Sequence, residues 1–175
     1  MLNKKTLLLL TLVLAAGMIL SGCTKKAAET AAEKAIEGAT NGQAEVDIDT
    51  NSVKVNTNGS SVQIGGDVAM PENFPDDVYV VDGTLTYAMT IAENKSYTVT
   101  VTTNKSVSEV KSLYETKLAE DGWAIDVNSM IQGSLGLGAQ KGNRTVTITA
   151  ATQDDKTMVV ITTSENEFTE DTPTE

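Results

Sequence analysis

The chain has 175 residues, one cysteine, no histidine and a formal net charge of −11. Without histidine, nucleophile–histidine catalysis and histidine-ligated metal sites are excluded. A surface this acidic repels nucleic acid and anionic headgroups, both of which attract basic patches, so no nucleic-acid partner is expected.

Lys4 and Lys5 precede an apolar run from Leu7 to Leu20, broken only by Thr11 and Gly17. The run is shorter than the roughly 20 residues a spanning helix needs, and reads as a signal peptide over residues 1–22. It ends in Leu20, Ser21, Gly22 and Cys23, which resembles the lipobox of bacterial lipoproteins. That resemblance implies that the thiol of Cys23 is joined to diacylglycerol and that the chain is cut before it. Stable anchoring needs two or more acyl chains, each buried methylene adding about 0.8 kcal/mol. The expected address is therefore the cell membrane or outer membrane, lipid-anchored and extracytoplasmic. With no second cysteine, the exported part has no internal disulfide.

Residues 23–44 are rich in Ala, Glu and Lys and favour helix by propensity, but they offer almost no large apolar side chains to bury. They read as a partly helical tether. Residues 45–70 follow as a small meander and linker: Val46, Ile48, Val53, Val55, Val62 and Ile64 alternate with polar residues around Asn51-Ser52 and Asn58-Gly59.

The main domain is expected over residues 71–163. Leu85, Tyr87, Met89 and Ile91, then Tyr97, Val99 and Val101, predict a hairpin with one apolar face. Ser106 and Glu109 have capping-box spacing. Val107, Val110, Leu113, Tyr114 and Leu118 follow at helical intervals, and Gly122 fits a left-handed stop that folds Trp123 back on Leu118. Four more strands follow, with Asp154-Asp155 in the last turn, and the acidic tail 164–175 is expected to be disordered. The fold class is α+β: a two-layer sandwich of an antiparallel sheet with one amphipathic helix on one face, preceded by the meander. Its core is expected to hold Leu85, Tyr87, Met89, Val99, Val101, Val110, Leu113, Leu118, Trp123, Val146 and Ile148.

Pro71, Phe74, Pro75, Asp77 and Val78, the helix ending in Gly122-Trp123, and Arg144, Val146 and Ile148 resemble a group of small uncharacterised bacterial envelope lipoproteins. The resemblance implies the fold and the address and lends no catalytic residue.

The remaining motifs carry little chemistry. Ser108 and Lys111 match the Ser-x-x-Lys spelling of serine acyl enzymes but lack the accompanying motifs, and read as a solvated helix face. Asp47, Asp49 and Asn51 start like a calcium loop that has neither its glycine nor its distal glutamate. Gly133, Gly136 and Gly138 read as a glycine-rich strand, and Asp76-Asp77 and Asp154-Asp155 as turns. No catalytic residue, metal or cofactor is expected. The sheet face opposite the helix should display threonines, with Thr86, Thr98, Thr100 and Thr147 as a candidate binding face for an envelope protein or glycan. The function these readings favour is a membrane-anchored, non-catalytic binding or interaction module. The alternative is a carboxylate-dependent hydrolase of cell-wall glycans, which requires two facing carboxyls about 5 to 9.5 Å apart.

Overall fold

A computed structural model describes residue 30, residues 33–38, residue 40, residues 42–49 and residues 51–166. Cys23, most of the tether and the end of the acidic tail lie outside these residues. The strands are β1 (Ala44–Ile48), β2 (Ser52–Thr57), β3 (Ser60–Gly65), β4 (Thr84–Ile91), β5 (Ser96–Thr103), β6 (Ala124–Ile131), β7 (Ser134–Lys141), β8 (Arg144–Gln153) and β9 (Lys156–Glu165). Helix α1 (Val107–Glu120) joins β5 to β6. All nine strands form one antiparallel sheet in the order β1-β2-β3-β4-β5-β9-β8-β7-β6.

The α+β class and the single helix on one face of an antiparallel sheet are as expected, but the sheet is larger. The meander does not stand apart as a preceding unit. β3 pairs with β4, setting Ile64 opposite Tyr87 and Val62 opposite Met89, so β1–β3 extend the main sheet. The pairing bridges an 18-residue connection, residues 66–83, that adds no strand. Strand alternation shows that β3 has a face to bury but does not show which strand it joins.

α1 forms because its ends are closed by side chain and backbone. The Ser106 hydroxyl accepts from the Glu109 N–H, and the Glu109 carboxylate accepts from the Ser106 N–H at 2.8 Å, satisfying otherwise unpaired donors. At the other end Gly122 has φ +78°, the Trp123 N–H donates to the Leu118 carbonyl at 2.8 Å and the Gly122 N–H donates to that of Ala119. These are the two bonds of a Schellman closure. Val107, Val110, Tyr114 and Leu118 face the sheet and are buried.

α1 covers β6, β7 and β8. The rest of that sheet face is covered by the connection 66–83, which runs as a strap. Val78 and Val81 are buried in the same core as Val99, Val146, Ile148 and Ile161. Phe74 meets Tyr97 of β5 edge-on, with ring centroids 6.1 Å apart. Tyr79 meets Tyr114 of α1 in the same way, and the Val81 N–H donates to the Tyr114 hydroxyl at 3.3 Å. Burial pushes the Tyr114 phenol up, so it stays protonated.

Two residues expected in this core lie elsewhere. β4 carries a bulge: Leu85 is opposite Val101 and Tyr87 is opposite Thr100, which leaves Thr86 as the extra residue. The insertion reverses the alternation. Leu85 packs against the core, whereas Tyr87 and Met89 share the opposite face with Thr100 and Thr98, and Ala88 takes the buried position beside Val99.

On that opposite face a second, smaller cluster gathers Ala44, Val46 and Val55, with Ile36 packed against it. Ile36 belongs to the helical stretch 33–38. The Glu33 carboxylate accepts from the Ile48 N–H at 3.0 Å and fixes this stretch to β1.

Candidate functional site

Cross-strand partners share a face, so the register maps the surface turned away from α1. One row runs Val62, Met89, Thr98, Thr162, Thr147 and Gly138, and the next runs Ile64, Tyr87, Thr100, Val160, Thr149 and Gly136. From Ser96 to Thr102 on β5, Met158 to Ser164 on β9 and Thr145 to Ala151 on β8, no side chain on this face is charged. In a chain of net charge −11, a charge-free strip across three strands is a local exception.

The threonines singled out from the sequence meet different fates on this face. Thr98 and Thr162 share a hydrogen bond between hydroxyls at 3.1 Å, as do Thr145 and Ser164. Thr147 is exposed and open to a partner. Thr100 is buried beside Tyr87, at 9% exposure, and cannot be a principal contact. Thr86, the bulge residue, donates its hydroxyl to the Thr100 carbonyl at 3.4 Å. Thr90 pairs with Tyr97 and so belongs to the helix side. Tyr87 and Met89, brought outward by the bulge, put an aromatic and a thioether beside the threonines, and the Tyr87 hydroxyl lies 3.3 Å from the Met89 sulfur.

At the end of this face a cleft of about 390 Å³ is lined by Asp82, Gly83, Thr84, Thr102, Thr103, Asn104, Lys105, Glu109 and Lys156. Its floor is tight: a Cβ on Gly83 would stand 2.4 Å from the Thr102 carbonyl oxygen. Of its two carboxylates, Glu109 is committed to the helix cap, and the Ser106 hydroxyl holds it below the usual carboxylate range. No group of three or more metal-ligating side chains occurs among the described residues. Ser108 is exposed on α1, where Lys111 pairs with Glu115. Asp154 and Asp155 occupy the β8–β9 turn with φ of 48° and 60°, and Asn51 donates to Asp67.

The densest polar cluster lies on the helix side and was not picked out as a site from the sequence. The Arg144 guanidinium grips the Asp77 carboxylate with both terminal nitrogens, Lys141 Nζ adds a third bond at 2.7 Å, and Lys141 also donates to the Asp121 carbonyl. The Trp123 ring lies beside both cations, 5.1 Å from Arg144 and 5.9 Å from Lys141, and its indole N–H donates to the Asp77 carbonyl at 3.0 Å. The hydrogen bonds from Arg144, opposed by burial and joined by those from Lys141, hold the Asp77 carboxyl well below the usual carboxylate range. Every hydrogen-bonding arm of this cluster is engaged within the chain, which fits a clamp on the strap better than a ligand site. Asp77, Trp123 and Arg144 were all visible in the sequence, within the motifs that carry the envelope-lipoprotein resemblance.

With this geometry in place, residues 85–166 match the model of a family described as START domain-like. The match begins one residue into β4 and ends one residue past β9. It takes in α1 and the six strands of the larger core, leaves out β1–β3 and covers just under half of the chain. No curated protein and no solved structure matches the chain.

Proposed function

We propose that this chain is a lipid-anchored module outside the cytoplasm that binds an envelope protein or glycan through the sheet face opposite α1, without catalysing a reaction on it. The observation that carries this reading is the charge-free strip of β5, β9 and β8. It presents hydroxyls beside Tyr87, Met89 and Val160, where an acidic chain would otherwise present carboxylates. Such a surface is cheap to desolvate and can still hydrogen-bond. The START domain-like match supports a ligand-binding role, and filled packing between α1 and the sheet favours a surface site over a buried one. Cys23, by the lipobox resemblance, supplies the anchor to the membrane.

The test is site-specific photo-crosslinking in cells, with the crosslinker placed at exposed Thr147 on the proposed face or at exposed Ser112 on α1. A discrete adduct from Thr147 that Ser112 does not give is expected. Identical patterns from the two positions would remove the proposed face. In the same cells, Cys23→Ala is expected to shift the protein out of the mature membrane-bound form, and an unchanged distribution would remove the anchor.

A further inference from the structure

The sheet ends in two edges that are treated differently. At β1, exposed Glu45 and Asp47 alternate with the buried residues, and the Glu33 carboxylate takes up the Ile48 N–H. Charges and caps of this kind guard an edge against pairing with another chain. At the other edge, β6 pairs with β7 on one side, and no further strand adjoins it among the described residues. It is eight residues long and free of proline and lysine, and it carries three large apolar side chains in the open: Val127, Met130 and Ile131, at 51, 44 and 67% exposure.

We propose that β6 is a self-pairing edge, through which two copies of this chain join their sheets antiparallel about a two-fold axis at Ser129. Charge selects the occupant. A second copy brings net charge −11 with it, and a contact between two such chains is least opposed where ionised groups are sparse. β6 carries one ionisable residue, Asp126, whose carboxylate accepts from Gln140 within the chain at 2.8 Å.

Register selects the axis. Val127 is opposite Gly138 and Ile131 is opposite Ser134, which places both on the face turned from α1. A two-fold axis through Ser129 sets Val127 against the partner's Ile131 and Ile131 against the partner's Val127, so both exposed apolar side chains gain cross-strand neighbours. Because the same patch serves both copies, the contact closes at two. The capped β1 edge stops the sheet from growing onward.

The full-length chain, purified in detergent, is expected to sediment with the protein mass of two copies, and Ile131→Lys with that of one. Ile131 is exposed, so the lysine should leave the fold intact, which circular dichroism checks. Ser129→Cys is expected to give a disulfide-linked pair on mild oxidation, since residues at such an axis lie about 4.5 to 5.5 Å apart at Cα. The parent chain, with Cys23 alone, serves as the control. A parent that sediments as one copy, an Ile131→Lys variant that remains paired, or a Ser129→Cys variant that crosslinks no more than the parent would each overturn the proposal.

Discussion

The Asp77 carboxylate and the Arg144 guanidinium form a two-pronged ion pair, with Nη1 2.7 Å from one oxygen and Nη2 2.5 Å from the other. It ties the strap to the start of β8. Removing the acid in Asp77→Ala leaves Arg144 and Lys141 facing each other over Trp123. Deleting one member of a fully buried pair costs several kcal/mol, but this pair keeps partial access to water. A loss of about 1–3 kcal/mol is expected. Urea denaturation of parent and variant measures it.

The same pair makes stability depend on pH. Asp77 has a folded-state pKa below its ordinary value of 3.8, so on acidification the unfolded chain binds this proton first. The contribution is therefore full above about pH 5 and shrinks as pH falls below the ordinary value. The stability difference between the parent and Asp77→Asn should be largest near neutral pH and smaller at about pH 3. Denaturation curves at the two values decide it, and a constant difference would contradict the assignment.

Tyr114 holds the other end of the strap. In Tyr114→Phe the ring remains, but the Val81 N–H, in a residue 2% exposed, loses its acceptor. An orphaned buried donor costs about 1–3 kcal/mol. Hydrogen exchange should show the Val81 amide losing more protection than amides in the centre of β5.

Deleting Thr86 is expected to be mild, within about 1–2 kcal/mol, because it removes the bulge and leaves Leu85 and Tyr87 opposite their present partners in a regular ladder. Deleting Ala88 shortens the same strand by the same amount but turns one half of it to the wrong face. That variant should lose most of its cooperative unfolding. Thermal melts of the two deletions give the comparison.

Legibility in the sequence followed the range of the interactions. α1 could be read in full because Ser106, Glu109, Gly122 and Trp123 act within one turn of its ends. The hairpins were readable from alternation and turn residues for the same reason. The bulge at Thr86 was not, since Leu85, Tyr87, Met89 and Ile91 keep perfect period two in the chain while the backbone between the first two breaks it. Tyr87 and Met89 were therefore assigned to the core, and the hydroxyl face was drawn without its apolar members. The joining of β3 to β4 and the Asp77–Arg144 pair span long stretches of chain, and no local signal encodes such partnerships. Thr98 and Thr147 were placed on the correct face because β5 and β8 are regular strands.

The order of strands also dictates when the molecule can become whole. β5 sits between β4 and β9, so the middle seam of the sheet is completed by the last strand the ribosome delivers. Val99 and Val101 wait for Val159 and Ile161, more than fifty residues later, before their side of the hydrophobic interior is sealed. Such distant closure is slow and leaves apolar strand surface open in the interim. Synthesis up to the β8–β9 turn therefore yields a chain that cannot lock shut, and loss of the last ten strand residues would remove a central stave while leaving the rim intact.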